Sequence, residues 1–304
     1  MAGKIAPEEK ALKKLLFPKL KKYWNTFQKN VKRVKNNANP DAVHDLRVSI
    51  RRLRSVVAIF KEFPVPLKTK SFKRETKKLM EILGQLRDLH VQYNLLKKSI
   101  KGKNGFLKPY LTMLEKDIER KEDVFEDRVK KAKIVYTPKL VKKILSLKTL
   151  PPPPLSTYEK LAATHLSNHV TRCILQKYLM LCFSYFPLVE KKENRIEFHR
   201  LRVQIKKLRY KLEILHPLLN SDFPKEGIKT LRKIQDAMGA THDIDVVCEQ
   251  VRKFYEQTEP KALKNKNFIK WFSGMRNKRT RLYKKSLGLL KEIRGYNFIP
   301  SIFQ

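Results

Sequence analysis

Histidine, arginine and lysine recur at fixed spacing in two stretches of this chain. In Val43 to Phe60, VHDLRVSIRRLRSVVAIF, the residues His44, Arg47, Arg51 and Arg54 follow at steps of three, four and three. Such steps put them in one row along a helix. In Phe198 to Leu215, FHRLRVQIKKLRYKLEIL, His199, Arg202, Lys206 and Arg209 repeat the row, and Arg52 and Lys207 flank it in the two stretches. Arginine carries a permanent charge on a planar fork of donors, which suits bidentate contact with phosphate. Like charges at these spacings also repel, so a bare cationic ladder destabilises its own helix. Two such ladders are therefore read as anion-binding faces. The histidine heading each row has cations beside it, which favour the neutral imidazole until an anion arrives.

The two stretches are copies. At an offset of 155 residues, eight of the 18 positions are identical and two more exchange Arg for Lys. Without a gap the same offset carries Gly84 onto Gly239, Asp88 onto Asp243 and Val91 onto Val246. It also pairs Lys70 with Lys225, Arg74 with Lys229, Lys77 with Arg232, and Lys78 with Lys233. If these following helices line the same groove, each half presents two cationic rows, and the halves together form a track. A track suits a linear, flexible polyanion such as inorganic polyphosphate.

The duplication also filters the rival chemistries. His44-Asp45 and His242-Asp243 both spell an HD dipeptide, but Asp45 aligns with Arg200 and His242 with Arg87, so no repeated metal pair survives. The repeated acids Asp88 and Asp243 read as groups that orient arginines or cap helices. His90, His165, His169 and His216 have no duplicated partner and receive no role. No phosphate-binding loop, dinucleotide fingerprint, HExxH or GxSxG is present. No catalytic residue, metal site or cofactor is expected.

Elements that could carry these rows follow from the periodicity. Helices are expected at 8–35, 41–62, 68–83, 86–101 and 106–133, with a short one at 138–147, then at 156–185, 195–219, 225–238, 241–257 and 261–294. Pro40 and Pro224 fit first-turn positions, and Gly84 and Gly239 fit helix ends before a turn. Four consecutive prolines, Pro151 to Pro154, mark the midpoint as a spacer. The expected architecture is all-α, with a first bundle over 1–150 and a second over 151–304.

Composition agrees. The 304 residues include 69 Lys+Arg against 29 Asp+Glu, a formal charge of +40, and are 41% hydrophobic. That is enough apolar content for a core, and enough excess charge to demand an acidic partner. Cys173, Cys182 and Cys248 form neither a disulfide framework nor a metal motif. No segment is apolar enough to span a bilayer, so no membrane is expected and the cytoplasm is the default compartment.

The HxLRVxIRRLR and HRLRVxIKKLRY segments, each followed by a glycine and an aspartate four residues on, resemble the CHAD domain, the conserved histidine α-helical domain. The resemblance spans about residues 5–295. It implies that the two bundles, related by a pseudo-twofold axis, form one domain around a basic central channel that binds inorganic polyphosphate. On the matching positions it implies that His44, Arg47, Arg51, Arg54, His199, Arg202, Lys206 and Arg209 face that channel; the repeat itself adds Arg74, Lys77, Lys78, Lys229, Arg232 and Lys233 as further candidate ligand cations. The expected role is non-enzymatic binding, at polyphosphate granules and beside their proteins. A nucleic-acid backbone is the competing partner, disfavoured because no exposed aromatics interleave with the ladders for base stacking.

Overall fold

The computed structural model describes residues 5–100, 105–131, 139–148, 150, 169–191, 193–219 and 223–295. Pro151 to Pro154, His165 and the first part of the helix expected at 156–185 lie outside these. The described residues contain helices and turns and no strand. The helices are α1 Ile5–Asn36, α2 Pro40–Phe60, α3 Lys70–Lys97, α4 Lys108–Lys130, α5 Lys139–Leu145, α6 His169–Phe183, α7 Arg195–Leu215, α8 Phe223–Thr258 and α9 Lys266–Gly295.

Local chemistry sets the start of α2. Pro40 occupies its first turn, where a missing N–H costs nothing, and the Asn39 carboxamide accepts from the Ala42 N–H at 2.9 Å. Asn194 holds the equivalent place before α7, but its amide nitrogen donates to the Leu188 carbonyl at 2.6 Å instead. Leu46, Ile50, Leu53 and Val57 of α2 and Leu201, Ile205, Leu208 and Leu212 of α7 are all buried, as the apolar stripe requires. Each contributes about 1.5–3 kcal/mol of burial.

Helix α2 packs between α1 and α3, and α7 packs between α6 and α8. Contacts α2 to α7, α3 to α8 and α1 to α7 join the two halves. One hydrophobic core accordingly runs from Leu12 and Phe27 through α2 and α7 to Leu290 and Ile293. A second core lies further along α3 and α8. It gathers Leu96, Tyr110, Leu114, Ile244, Val251, Tyr255, Phe268 and Trp271.

The expected breaks at Gly84 and Gly239 do not occur. Helix α3 runs unbroken through Gly84, Gln85 and Leu86, and α8 through Gly239, Ala240 and Thr241. A glycine inside a helix costs about 1 kcal/mol. The buried rows on either side, Leu79, Leu83 and Leu86 in α3 and Leu231, Ile234 and Met238 in α8, outweigh that cost. Each pair of separately expected helices is therefore one long helix that begins in the first core and ends in the second.

Candidate anion-binding site

Both ladder helices lie antiparallel to the helix that follows. Near the start of α2, His44 feels the charge of Arg87 on α3. One turn on, Arg47 reaches Gly84 and donates weakly to the Met80 carbonyl at 3.5 Å. Near its end, Arg54 feels Lys73. The second half repeats the order. The His199 ring lies tilted against that of His242, with centroids 5.4 Å apart, Arg202 reaches Gly239, and Arg209 donates to Gln235 at 2.9 Å.

Side chains from the two halves share one electrostatic neighbourhood. Arg47 interacts with Arg51, Asp88, Arg87 and with Arg202 of the other half. Arg202 interacts with Asp243, Arg51 and Asp88. Lys206 interacts with Arg202, Arg51, Arg47 and Asp243. Burial, reinforced by the crowd of cations, pulls Lys206 down to about 6 and Arg47 down to about 10. The same two causes, burial first, lower His44 and His199, in line with the expected neutral imidazoles. Asp88 is raised by loss of solvent, although Arg47 opposes the shift. The two repeated acids thus sit among the arginines and offset part of the repulsion. The Arg202 Nε is buried with no hydrogen-bond partner. An orphaned guanidinium donor costs about 1–3 kcal/mol unless something accepts from it.

Not every expected residue joins this group. Arg209 is only 8% exposed. Its fork donates to Gln235 and to Glu213 at 2.8 Å, and it lies over the Tyr210 ring at 4.4 Å. The helix thus commits Arg209 to internal packing, whereas its counterpart Arg54 stays exposed. Arg52 and Lys207 are exposed on the far flanks, Arg52 beside Tyr23 of α1 and Lys207 beside Cys182 of α6. On the following helices Arg74, Lys77, Lys78, Lys229, Arg232 and Lys233 are all exposed. Four of them pair with acids: Arg74 with Glu75, Lys77 with Glu81, Lys229 with Glu226, and Arg232 with Glu213. Exposed pairs of this kind contribute about 0–1 kcal/mol each.

The side chains of α3 and α8 that do reach the ladders were missed: Lys73, Arg87 and His242. Arg87 and His242 share one aligned position, and a search for helix-facing residues one turn beyond each glycine would have found them. Among the described residues no cluster of three or more His, Cys, Asp or Glu could hold a metal ion. No helix among them is long and apolar enough to cross a membrane.

A protein-family model for the CHAD domain matches residues 19–252. The chain belongs to the CHAD-domain family. The match takes in α2, α3 and α7 entire and all the residues of the shared cluster, and it ends before α9. That family is associated with polyphosphate binding. Among solved structures, the chain is similar to the CHAD domain of the plant Ricinus communis, with a TM-score of 0.61 and 22% identity. That likeness covers 90% of this chain and 86% of the other. It is also similar to PptA from Streptomyces chartreusis, with a TM-score of 0.57, 11% identity and coverage of 93% and 99%. At these identities the likeness is one of CHAD fold. A comparison with curated proteins gives no match.

Proposed function

We propose that this CHAD-domain protein binds inorganic polyphosphate without turning it over, on a cationic site to which both halves contribute. The observation that carries the reading is the shared neighbourhood of Arg47, Arg51, Arg202 and Lys206, drawn from α2 and α7. Cations so close together, only partly offset by Asp88 and Asp243, destabilise the free protein, and a polyanion relieves them. A linear chain of phosphates offers acceptors at short intervals, so one ligand can engage both ladders and gain from effective concentration. Recruitment to polyphosphate granules follows from such binding.

The deciding experiment is competition among long-chain polyphosphate, orthophosphate, DNA and RNA for the full-length protein at several salt concentrations. Polyphosphate should be retained at physiological salt where the nucleic acids are displaced, and orthophosphate should compete poorly. Equal competition by DNA would make the protein a general backbone binder. Hydrolysis of polyphosphate with Mg²⁺ or Mn²⁺, abolished by Asp88→Asn or Asp243→Asn, would make it an enzyme.

A further inference from the structure

We infer that Gly84 and Gly239 are positioning residues, whose missing β-carbons seat the Arg47 and Arg202 guanidinium groups. The inference rests on the anion-binding reading above for its ligand. A β-carbon at position 84 would lie 3.1 Å from Arg47 Nη1, and one at position 239 would lie 3.4 Å from Arg202 Nη2 and 3.8 Å from its Nε. The same construction at Gly105, Gly274 and Gly288 meets nothing within 4 Å.

Both glycines stand inside long helices, where alanine would be favoured by about 1 kcal/mol. Neither ends a helix, so a turn does not account for them. What they share is an arginine from the neighbouring ladder lying against the bare backbone. The seat acts by shape, since the donors of those arginines are scarcely used. Arg47 Nη1 has only the long contact to the Met80 carbonyl, and Arg202 Nε has no partner. A guanidinium held by hydrogen bonds would have its donors spent, whereas one held by close packing keeps them for a ligand. An added methyl would push the Arg47 fork outward by a few tenths of an ångström while leaving its charge in place, and would only touch the Arg202 fork, at the edge of ordinary contact. Charge-assisted hydrogen bonds are sensitive to such misalignment.

The test is a pair of double-mutant cycles, Gly84→Ala with Arg47→Lys and Gly239→Ala with Arg202→Lys. Each is read by thermal unfolding without ligand and by affinity for long-chain polyphosphate. Gly84→Ala should keep its helix content and weaken binding about five- to tenfold, part of the roughly tenfold to hundredfold carried by a charge-assisted hydrogen bond. Gly239→Ala, with the wider gap, should cost less. With Lys at position 47, Gly84→Ala should change affinity less than about twofold, because no fork remains to be displaced. Alanine variants that bind like the wild type, or that lose the same factor beside Lys, would overturn the inference. If Gly84→Ala fails to fold, recovery by Arg47→Lys supports the seat and continued failure refutes it. A wild-type protein that does not retain polyphosphate overturns the functional reading instead. The ligand-free unfolding cycle then judges the seat alone, with coupling between positions 47 and 84 expected and additivity fatal to it.

Discussion

At the scale of single residues, Lys206 is where stability and binding oppose each other most directly. Its amine falls from the ordinary 10.5 to about 6 on folding. Between those values the unfolded chain holds a proton that the folded one has shed, so the ligand-free protein gains stability as pH rises from about 6 towards 10. Below about 6 the burial cost is felt in full. Lys206→Met should therefore raise the melting temperature, most near pH 6, while weakening polyphosphate binding. An anion returns the proton, so binding near pH 7.5 should take up protons, visible as an enthalpy that changes with the buffer. Affinity should fall from about pH 6 to about pH 8, and Lys206→Arg should flatten that fall. A wild-type affinity indifferent to pH across this range would show that Lys206 takes no part. Arg209 predicts the opposite pattern. Arg209→Ala leaves Gln235 without its donor and Glu213 with Arg232 as its remaining guanidinium partner, and should cost about 1–3 kcal/mol of stability, whereas Arg54→Ala should leave stability nearly unchanged and weaken binding. The sequence shows part of this difference, since both close identical LRVxI(R/K)(R/K)LR frames but Arg209 has Glu213 four residues on where Arg54 has Ala58. The difference lies in what faces them: Gln235 and Glu213 in one half, Lys73 in the other.

At the scale of elements, the apolar stripes of α2 and α7 were legible because a 3.6-residue period admits one buried face. Pro40 and Asn39 fixed the start of α2 for local reasons that a sequence displays. The continuity of α3 and α8 was not legible. Glycine at a helix end and glycine beneath a neighbouring side chain look the same in one dimension, and the deciding contact comes from another helix. A junction between halves was equally hidden. Lys211 of α7 is 2% exposed and lies 3.7 Å from the centre of the Tyr178 ring of α6. Tyr178 donates to Glu62, just beyond α2, at 3.2 Å, and Lys177 pairs with the same carboxylate at 3.0 Å. Burial lowers Lys211 to about 8, with Glu62 opposing the shift. Glu62→Gln removes that opposing charge and should destabilise the protein by about 1–3 kcal/mol, read as a lower denaturant midpoint, without changing polyphosphate affinity at saturating stability.

At the scale of the whole molecule, the halves are copies in sequence but not independent in packing. The first core draws on α1, α2, α6, α7 and α9, and the second takes residues from both sides of the midpoint. Residues 1–150 expressed alone should therefore expose apolar surface, bind a hydrophobic dye and lack a cooperative melt. The net charge of +40 is spread far beyond the ladders, so tight binding in itself is weak evidence for a site. The salt dependence separates the contributions, at about 0.7 in log–log slope per phosphate neutralised on a single-stranded polyanion. Arg47→Glu with Arg202→Glu should reduce affinity and slope far more than Lys121→Glu with Lys278→Glu on α4 and α9.

Polyphosphate is a homopolymer whose two ends are chemically alike, so the ligand itself carries no sense of direction. The two faces of this protein are not alike. The first presents Arg51, and the second places Lys206, pulled down to about 6 by burial and neighbouring cations, at the matching position. A chain laid across both would have one end gripped at every pH and the other let go as protons leave. On the proposed function, this difference between the two faces would give a direction to a molecule that has none.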